Sequence, residues 1–191
     1  MAESVRPLGA DLARVAVFAA LIVVLGIVNV ALPGGVPITG QTLGVMLAGL
    51  VLGPKRGALA VLIVIALAAI GLPVLAGGRG GLGVFLGPSV GYLIGWVPGV
   101  VVTGLIARSG RFSWWRAGLG AVLGGILVVY LFGIPLQSLI GGVPLGVSTL
   151  GALAFVPGDL LKAAVATVLV AALHRAYPRA FADRAPVAHA G

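Results

Sequence analysis

The sequence predicts an all-α, polytopic integral membrane protein, a single domain over residues 1–191 built as a bundle of six transmembrane helices. Three observations carry that expectation. Hydrophobic residues make up 60% of the 191 and charged residues only 8%, whereas soluble domains carry about 25% charged residues, so a soluble monomer could not hide its apolar surface. The length, at roughly 20 apolar residues per span, accommodates about six helices with short loops. Finally, the cations gather at the ends of the apolar runs, and ten of the twelve fall on one side if the spans alternate.

The elements follow in chain order. Residues 1–14 carry charges of both signs and read as a short N-terminal segment. The apolar run after them is too long for a secretory h-region and lacks a convincing small-residue cleavage site, so it reads as a retained first span, Val15 to Leu32. A polar turn-forming stretch follows, Pro33 to Thr42, and then a short second span, Leu43 to Leu52. Gly53-Pro54-Lys55-Arg56-Gly57 is a basic turn before the third span, Ala58 to Leu72, because Gly and Pro break the helix while the cations stay in water.

The segment Pro73 to Ser89 is the longest glycine-rich stretch and does not read as plain helix. Val90 to Ala107 is the fourth span. Arg108, Arg111 and Arg116 flank the next turn, where Ser113 suits an N-cap and Trp114 and Trp115 suit the membrane interface. The fifth span covers Ala117 to Phe132, and a Gly/Pro loop to Thr149 leads to the sixth, Leu150 to Leu173. The bundle is thus expected over 15–173, with a polar tail over 174–191.

Orientation comes from the cations. Arg6, Arg14, Lys55, Arg56, Arg108, Arg111, Arg116, Arg175, Arg179 and Arg184 share one side of this map, which the positive-inside rule makes cytoplasmic, with both termini. Five or seven spans would scatter the arginines over both faces. The formal charge of +8 is explained by this orientation rather than by nucleic acid, since the basic residues are dispersed at segment ends. Arg79 alone stands on the outer side, and Lys162 lies within a span.

Glycines four apart, at Gly40 and Gly44, Gly49 and Gly53, Gly91, Gly95 and Gly99, and Gly120 and Gly124, let helices approach closely in lipid. Packing within one chain is the favoured reading. On the first span, Ala16 and Ala20 offer the same spacing as a docking face for a partner helix.

Asp159 and Lys162 do not belong in lipid. Each costs about 2.5 to 3.5 kcal/mol near the bilayer centre, and three residues apart they share a helical face. A private ion pair, or a lysine snorkelling to the interface, is the plain alternative, but an isolated buried pair rarely repays its desolvation relative to apolar replacements. A carboxylate only accepts and an ammonium only donates, so together they suit a polar ligand presenting both N–H and C=O groups. Arg79, between Gly78 and Gly80, reads equally as a ligand or lid residue and as a solvated loop arginine. Gln41, Thr39 and Tyr92 divide evenly between lining a cavity and capping a helix or anchoring the interface.

Other chemistry is missing from the chain. There are no cysteines, no Gly-Lys-Ser or Gly-Lys-Thr phosphate loop, and only four acidic residues, three of them near the termini. Those gaps argue against thiol chemistry, cysteine metal sites, ATP hydrolysis by that route and paired-carboxylate catalysis. His174 and His189 read as surface residues. Gly78-Arg79-Gly80-Gly81-Leu82-Gly83 matches a dinucleotide fingerprint literally, but Thr103 stands where the acidic residue belongs and no strand-to-helix context is expected. Binding without catalysis is the economical reading.

Five motifs together resemble the BioY family, the substrate-binding membrane components of biotin transporters of the energy-coupling-factor type. They are Val36-Pro37-Ile38-Thr39-Gly40-Gln41-Thr42; Leu52-Gly53-Pro54-Lys55-Arg56-Gly57; Gly71-Leu72-Pro73-Val74 with Ala76-Gly77-Gly78-Arg79-Gly80-Gly81; Gly87-Pro88-Ser89-Val90-Gly91-Tyr92; and Pro157-Gly158-Asp159-Leu160-Leu161-Lys162. The resemblance covers almost the whole chain in the expected order. It implies six helices in a bacterial cytoplasmic membrane, an outward-facing pocket, biotin as transported ligand, and no cofactor. It implies as partners a transmembrane coupling subunit and two cytoplasmic ATPases, with some family members working without dedicated partners.

By the same resemblance, Asp159 and Lys162 match ligand-binding residues of the last helix and suit the ureido ring of biotin. Arg79 and its glycines close over the ligand or meet its carboxylate, and Tyr92, Phe85 and Phe155 are candidate aromatic walls. The rival readings are a component for another vitamin, such as thiamine or riboflavin, and a membrane subunit with no transport role.

Overall fold

A computed structural model describes residues 8–27, 29–30, 36 and 38–178. Arg6, Pro33 to Gly35, Pro37, Arg179, Arg184 and His189 lie outside the described residues. Among the described residues the regular structure is helical apart from a hairpin of two two-residue strands. Its elements are α1 (Leu8–Leu25), β1 (Asn29–Val30), β2 (Ile38–Thr39), α2 (Gln41–Leu52), α3 (Pro54–Ala69) and α4 (Val90–Ala107). They continue with α5, a helical rod over Trp114–Gly141, then α6 (Leu145–Leu153) and α7 (Val156–Ala176). The rods α4, α5 and α7 are each long and apolar enough to cross a membrane.

Helix α4 is the axis of the bundle and packs on α2, α3 and α5, while α1 covers α2 and α3, and α7 covers α2 and the start of α5. Glycines decide how closely these helices approach. A Cβ on Gly95 would meet the Val129 carbonyl at 2.9 Å, and one on Gly99 would meet the Gly124 carbonyl at 2.7 Å. Gly44 sits as tightly against Ile22, and Gly120 against Thr103. The four-apart glycines therefore serve packing within the chain, as the spacing suggested.

Several boundaries differ from the sequence expectation, each for a local reason. Helix α1 begins at Leu8 rather than Val15, because Asp11 in its first turn is paired with Arg56 and Arg14 and tolerates a helical position. It ends at Leu25 rather than Leu32, and the chain turns into the hairpin pairing Asn29 with Thr39. The expected basic turn shrinks to Gly53, whose φ of 82° suits glycine, and Pro54 starts α3 at a position where its missing N–H is harmless. Arg108 Nη2 donates to the carbonyls of Val51 and Leu52 at 3.2 and 2.7 Å, closing the end of α2. Ser113 does precede α5, but its side chain makes no capping hydrogen bond.

The largest departures lie beyond Phe132. The expected Gly/Pro loop is helix as far as Gly141, with Pro135 inside it, and then the short helix α6. Helix α7, at the position expected for the sixth span, starts at Val156 rather than Leu150, because the chain breaks at Ala154 and Phe155. Within α5, residues Leu123–Val128 form a π-helical turn. One extra residue in that turn rotates the remainder of α5 by about 100° relative to regular helix. The turn lies where Gly124 meets α4, just before Tyr130.

His174 is partly covered, with its ring stacked on Phe112 at 4.2 Å. Trp114 and Trp115 are exposed, and the Arg116 guanidinium lies 5.2 Å from the Trp115 ring centre. Helix α4 matches the bounds expected for the fourth span at both ends.

Candidate functional site

The first turn of α7 carries Asp159 and, one turn on, Lys162. Asp159 is 4% exposed and its Oδ1 lies 2.8 Å from Lys162 Nζ. The spacing of three residues does put both charges into one cavity, and two neighbouring helices complete their hydrogen bonding. From α2, the Thr42 hydroxyl accepts from Lys162 Nζ at 3.0 Å and donates to Asp159 Oδ1 at 3.3 Å. From α5, the Tyr130 hydroxyl donates to Asp159 Oδ2 at 2.6 Å, the short length of a charge-assisted bond.

The cavity around this cluster, taken together with the open space of its mouth, spans about 700 Å³. Its walls are mainly apolar: Val36, Ile38, Leu75, Val84, Leu93 and Trp96. Tyr92 meets Tyr130 edge-on at 6.0 Å and Phe155 at 6.5 Å, giving an aromatic corner beside the charges. Phe155 lines the cavity, whereas Phe85, in a short 3-10 turn over Leu82–Phe85, packs against the core.

The structure brings most of the sequence candidates together. Asp159, Lys162, Arg79, Gln41, Tyr92 and Thr39 all line this cavity. Their polar groups are engaged in different ways. Tyr92 donates its hydroxyl to Gln137 at 2.8 Å, and Thr39 accepts from the backbone N–H of Gln41 at 3.2 Å, so Thr39 both lines the cavity and supports the start of α2. Gln41 is buried, with its carboxamide bonded to the backbone of Val74 and Ala76.

Arg79 is exposed, its Nε donating to the Ala76 carbonyl at 3.1 Å. Gly78 has a φ of 71°, and Gly80 lies directly against the Leu72 carbonyl, so the loop depends on glycine at both positions. Neither glycine lines the cavity itself. Ala16 and Ala20 lie elsewhere, on the exposed face of α1.

Sequence reasoning missed Tyr130, Gln137 and the role of Thr42. Tyr130 reads as one more aromatic in an apolar run, and only the π-turn and the tertiary contact mark it. Thr42 adjoins Gln41 in the sequence, but its bonds reach 117 and 120 residues away. Trp96 was missed as well; it is buried at the cavity wall, and its Nε1 has no partner among the described residues.

Comparison with known proteins bears on the family of the chain. The chain is 48% identical over 177 residues to the biotin transporter BioY of Rhizobium etli, covering 88% of this chain and 95% of that protein. It is 50% identical over 182 residues to the biotin transporter BioY of Rhodobacter capsulatus, covering 89% and 96%. Among solved structures it resembles the S-component for biotin from an ECF-type ABC transporter, with a TM-score of 0.81 and 36% identity over 87% of this chain and 92% of that one. The model of the BioY family matches residues 2–179, and the chain belongs to that family.

Proposed function

We propose that this chain is the biotin-capturing S-component of an energy-coupling-factor transporter, a multi-pass membrane protein and not an enzyme. The observation that carries the reading is the Asp159–Lys162 pair, held by Thr42 and Tyr130 in a mainly apolar pocket. The ureido ring of biotin presents N–H donors and a carbonyl acceptor, which complement the carboxylate and the ammonium. The thiophane and valeryl parts suit the apolar and aromatic walls. Arg79, with Gly78 and Gly80 shaping its loop, stands at the cavity to receive the carboxylate or cover the ligand, and Tyr92 and Thr39 complete the lining.

Calorimetric titration of the detergent-purified chain with biotin, desthiobiotin, thiamine and riboflavin tests this. Saturable binding of biotin, with no heat from thiamine or riboflavin, is expected. Preference for another vitamin, or silence toward all four by folded protein, would overturn it.

The reading includes six spans, α1 to α5 and α7, with both ends in the cytoplasm. Lys55, Arg56, Arg108, Arg111 and Arg116 then share the inner side, opposite Arg79, as the positive-inside rule requires. The chain has no cysteine, so single cysteines at Ser109 and Gly142 can be labelled selectively. Gly142→Cys should react from outside intact cells and Ser109→Cys only after permeabilisation; the reverse pattern refutes the topology.

Concentrative uptake then needs a transmembrane coupling subunit and two ATPases, because the chain has no phosphate loop of its own. The exposed Ala16 and Ala20 offer α1 as the docking face for the coupling subunit. Ala16→Trp with Ala20→Trp should abolish co-purification with that subunit while biotin binding persists. Intact complex formation by the double variant would remove α1 as the docking face.

A further inference from the structure

Gln41 opens α2 inside the cavity, yet its carboxamide is already used. Its Nε2 donates to the Val74 carbonyl at 3.1 Å, and its Oε1 accepts from the Ala76 N–H at 3.1 Å. Donating to one residue and accepting from the residue two further on is how a strand residue pairs in a parallel ladder. The side chain thus behaves as a short piece of strand beside Leu75. Leu75 in turn pairs antiparallel with Arg79, through Leu75 N to Arg79 O at 3.0 Å and Arg79 N to Leu75 O at 3.2 Å. Leu75, Ala76 and Arg79 are the loop residues that line the cavity.

Two further observations bear on this contact. A Cβ on Gly26 would lie 2.8 Å from both Cδ and Nε2 of Gln41, so the bare glycine at the end of α1 leaves the space that the carboxamide occupies. The next residue after Gln41 is Thr42, whose hydroxyl bonds both Asp159 and Lys162. Adjacent residues of one helical turn therefore hold the loop on one side and the charged pair on the other.

We propose that Gln41 is a positioning residue for ligand retention: it pins the Leu75–Arg79 loop across the cavity and thereby slows release of the bound molecule. It acts through the loop backbone and not by donating to the ligand. The proposal rests on the pocket being the biotin site, and its test separates the two.

Wild type, Gln41→Leu, Gln41→Glu and Gly26→Ala are compared in detergent. Hydrogen exchange of the loop amides 75–81 is followed without ligand, and release of labelled biotin is followed after a chase. Gln41→Leu removes both bonds, Gln41→Glu keeps the acceptor but sets a carboxylate against the Val74 carbonyl, and Gly26→Ala displaces the carboxamide without altering it. Loss of both bonds is expected to raise loop exchange and the dissociation rate roughly tenfold or more, and Gln41→Glu to raise them in the same direction. Exchange in α7 and the association rate should change little.

Unchanged dissociation in the variants, with a wild type that binds, refutes the role of Gln41 alone. So does faster release accompanied by equally raised exchange throughout α2 and α7, which would mark general loosening. A folded wild type that does not bind biotin refutes the pocket reading and the retention role with it.

Discussion

Two ion pairs stand at opposite ends of this bundle, and they are built differently. At one end Arg56 Nη2 of α3 meets Asp11 Oδ2 of α1 at 2.6 Å, with side chains 31% and 21% exposed. At the other, Lys162 and Asp159 meet at 2.8 Å with side chains 16% and 6% exposed. The first pair joins two helices that are distant in sequence. The second lies within one helix, so the pair itself fastens nothing, and its link to α2 and α5 comes from Thr42 and Tyr130. A buried pair contributes little stability relative to apolar residues of similar size, which supports the proposed use of this one, presentation of its charges to a ligand.

Replacing both members of the deep pair separates these roles most sharply. Asp159→Leu combined with Lys162→Met should weaken biotin binding by at least about a hundredfold, or about 2.7 kcal/mol, while the unfolding temperature stays level or rises. A large fall in that temperature would assign the pair to stability.

Tyr130→Phe is expected to have an intermediate effect. It removes the hydroxyl that fixes Asp159 Oδ2 but leaves both charges, so affinity should fall about fivefold, about 1 kcal/mol. An unchanged calorimetric affinity would remove Tyr130 from the site.

The smallest effect belongs to the other end of the molecule. Asp11→Asn should leave biotin affinity unaltered and lower stability by about 0.2–1 kcal/mol, the range for partly exposed pairs, as read by thermal unfolding in detergent. A loss of affinity there would show that the two ends are coupled.

The same contrast explains what could be read from the sequence. Asp159 and Lys162 were legible because lipid makes isolated charges costly and a three-residue spacing fixes their common face. Helix α4 was legible, since Ser89 and Arg108 bracket a mainly apolar run that carries no charge. Tyr130 was not, because its role depends on a π-turn created where Gly124 meets α4, a tertiary event. The extension of α5 past Pro135 was hidden for a similar reason: in lipid, neighbouring helices and local adjustments re-satisfy the freed backbone groups and tolerate a proline that would suggest a loop in water. Gln41 divided evenly between lining a cavity and capping a helix, and its partners at Val74 and Ala76 lie 33 and 35 residues away, so its hold on the loop was out of reach of any local pattern.

The most direct test of the central claim is a biotin titration of folded wild type and Lys162→Met, with thermal unfolding recorded on the same samples. The expected result is saturable binding by wild type and at least a tenfold weaker affinity in the variant, about 1.4 kcal/mol, with a cooperative unfolding transition retained at a lower temperature because the buried Asp159 is left unpaired. Equal affinities in the two proteins would contradict the account, because the deep pair would then be no part of the ligand site.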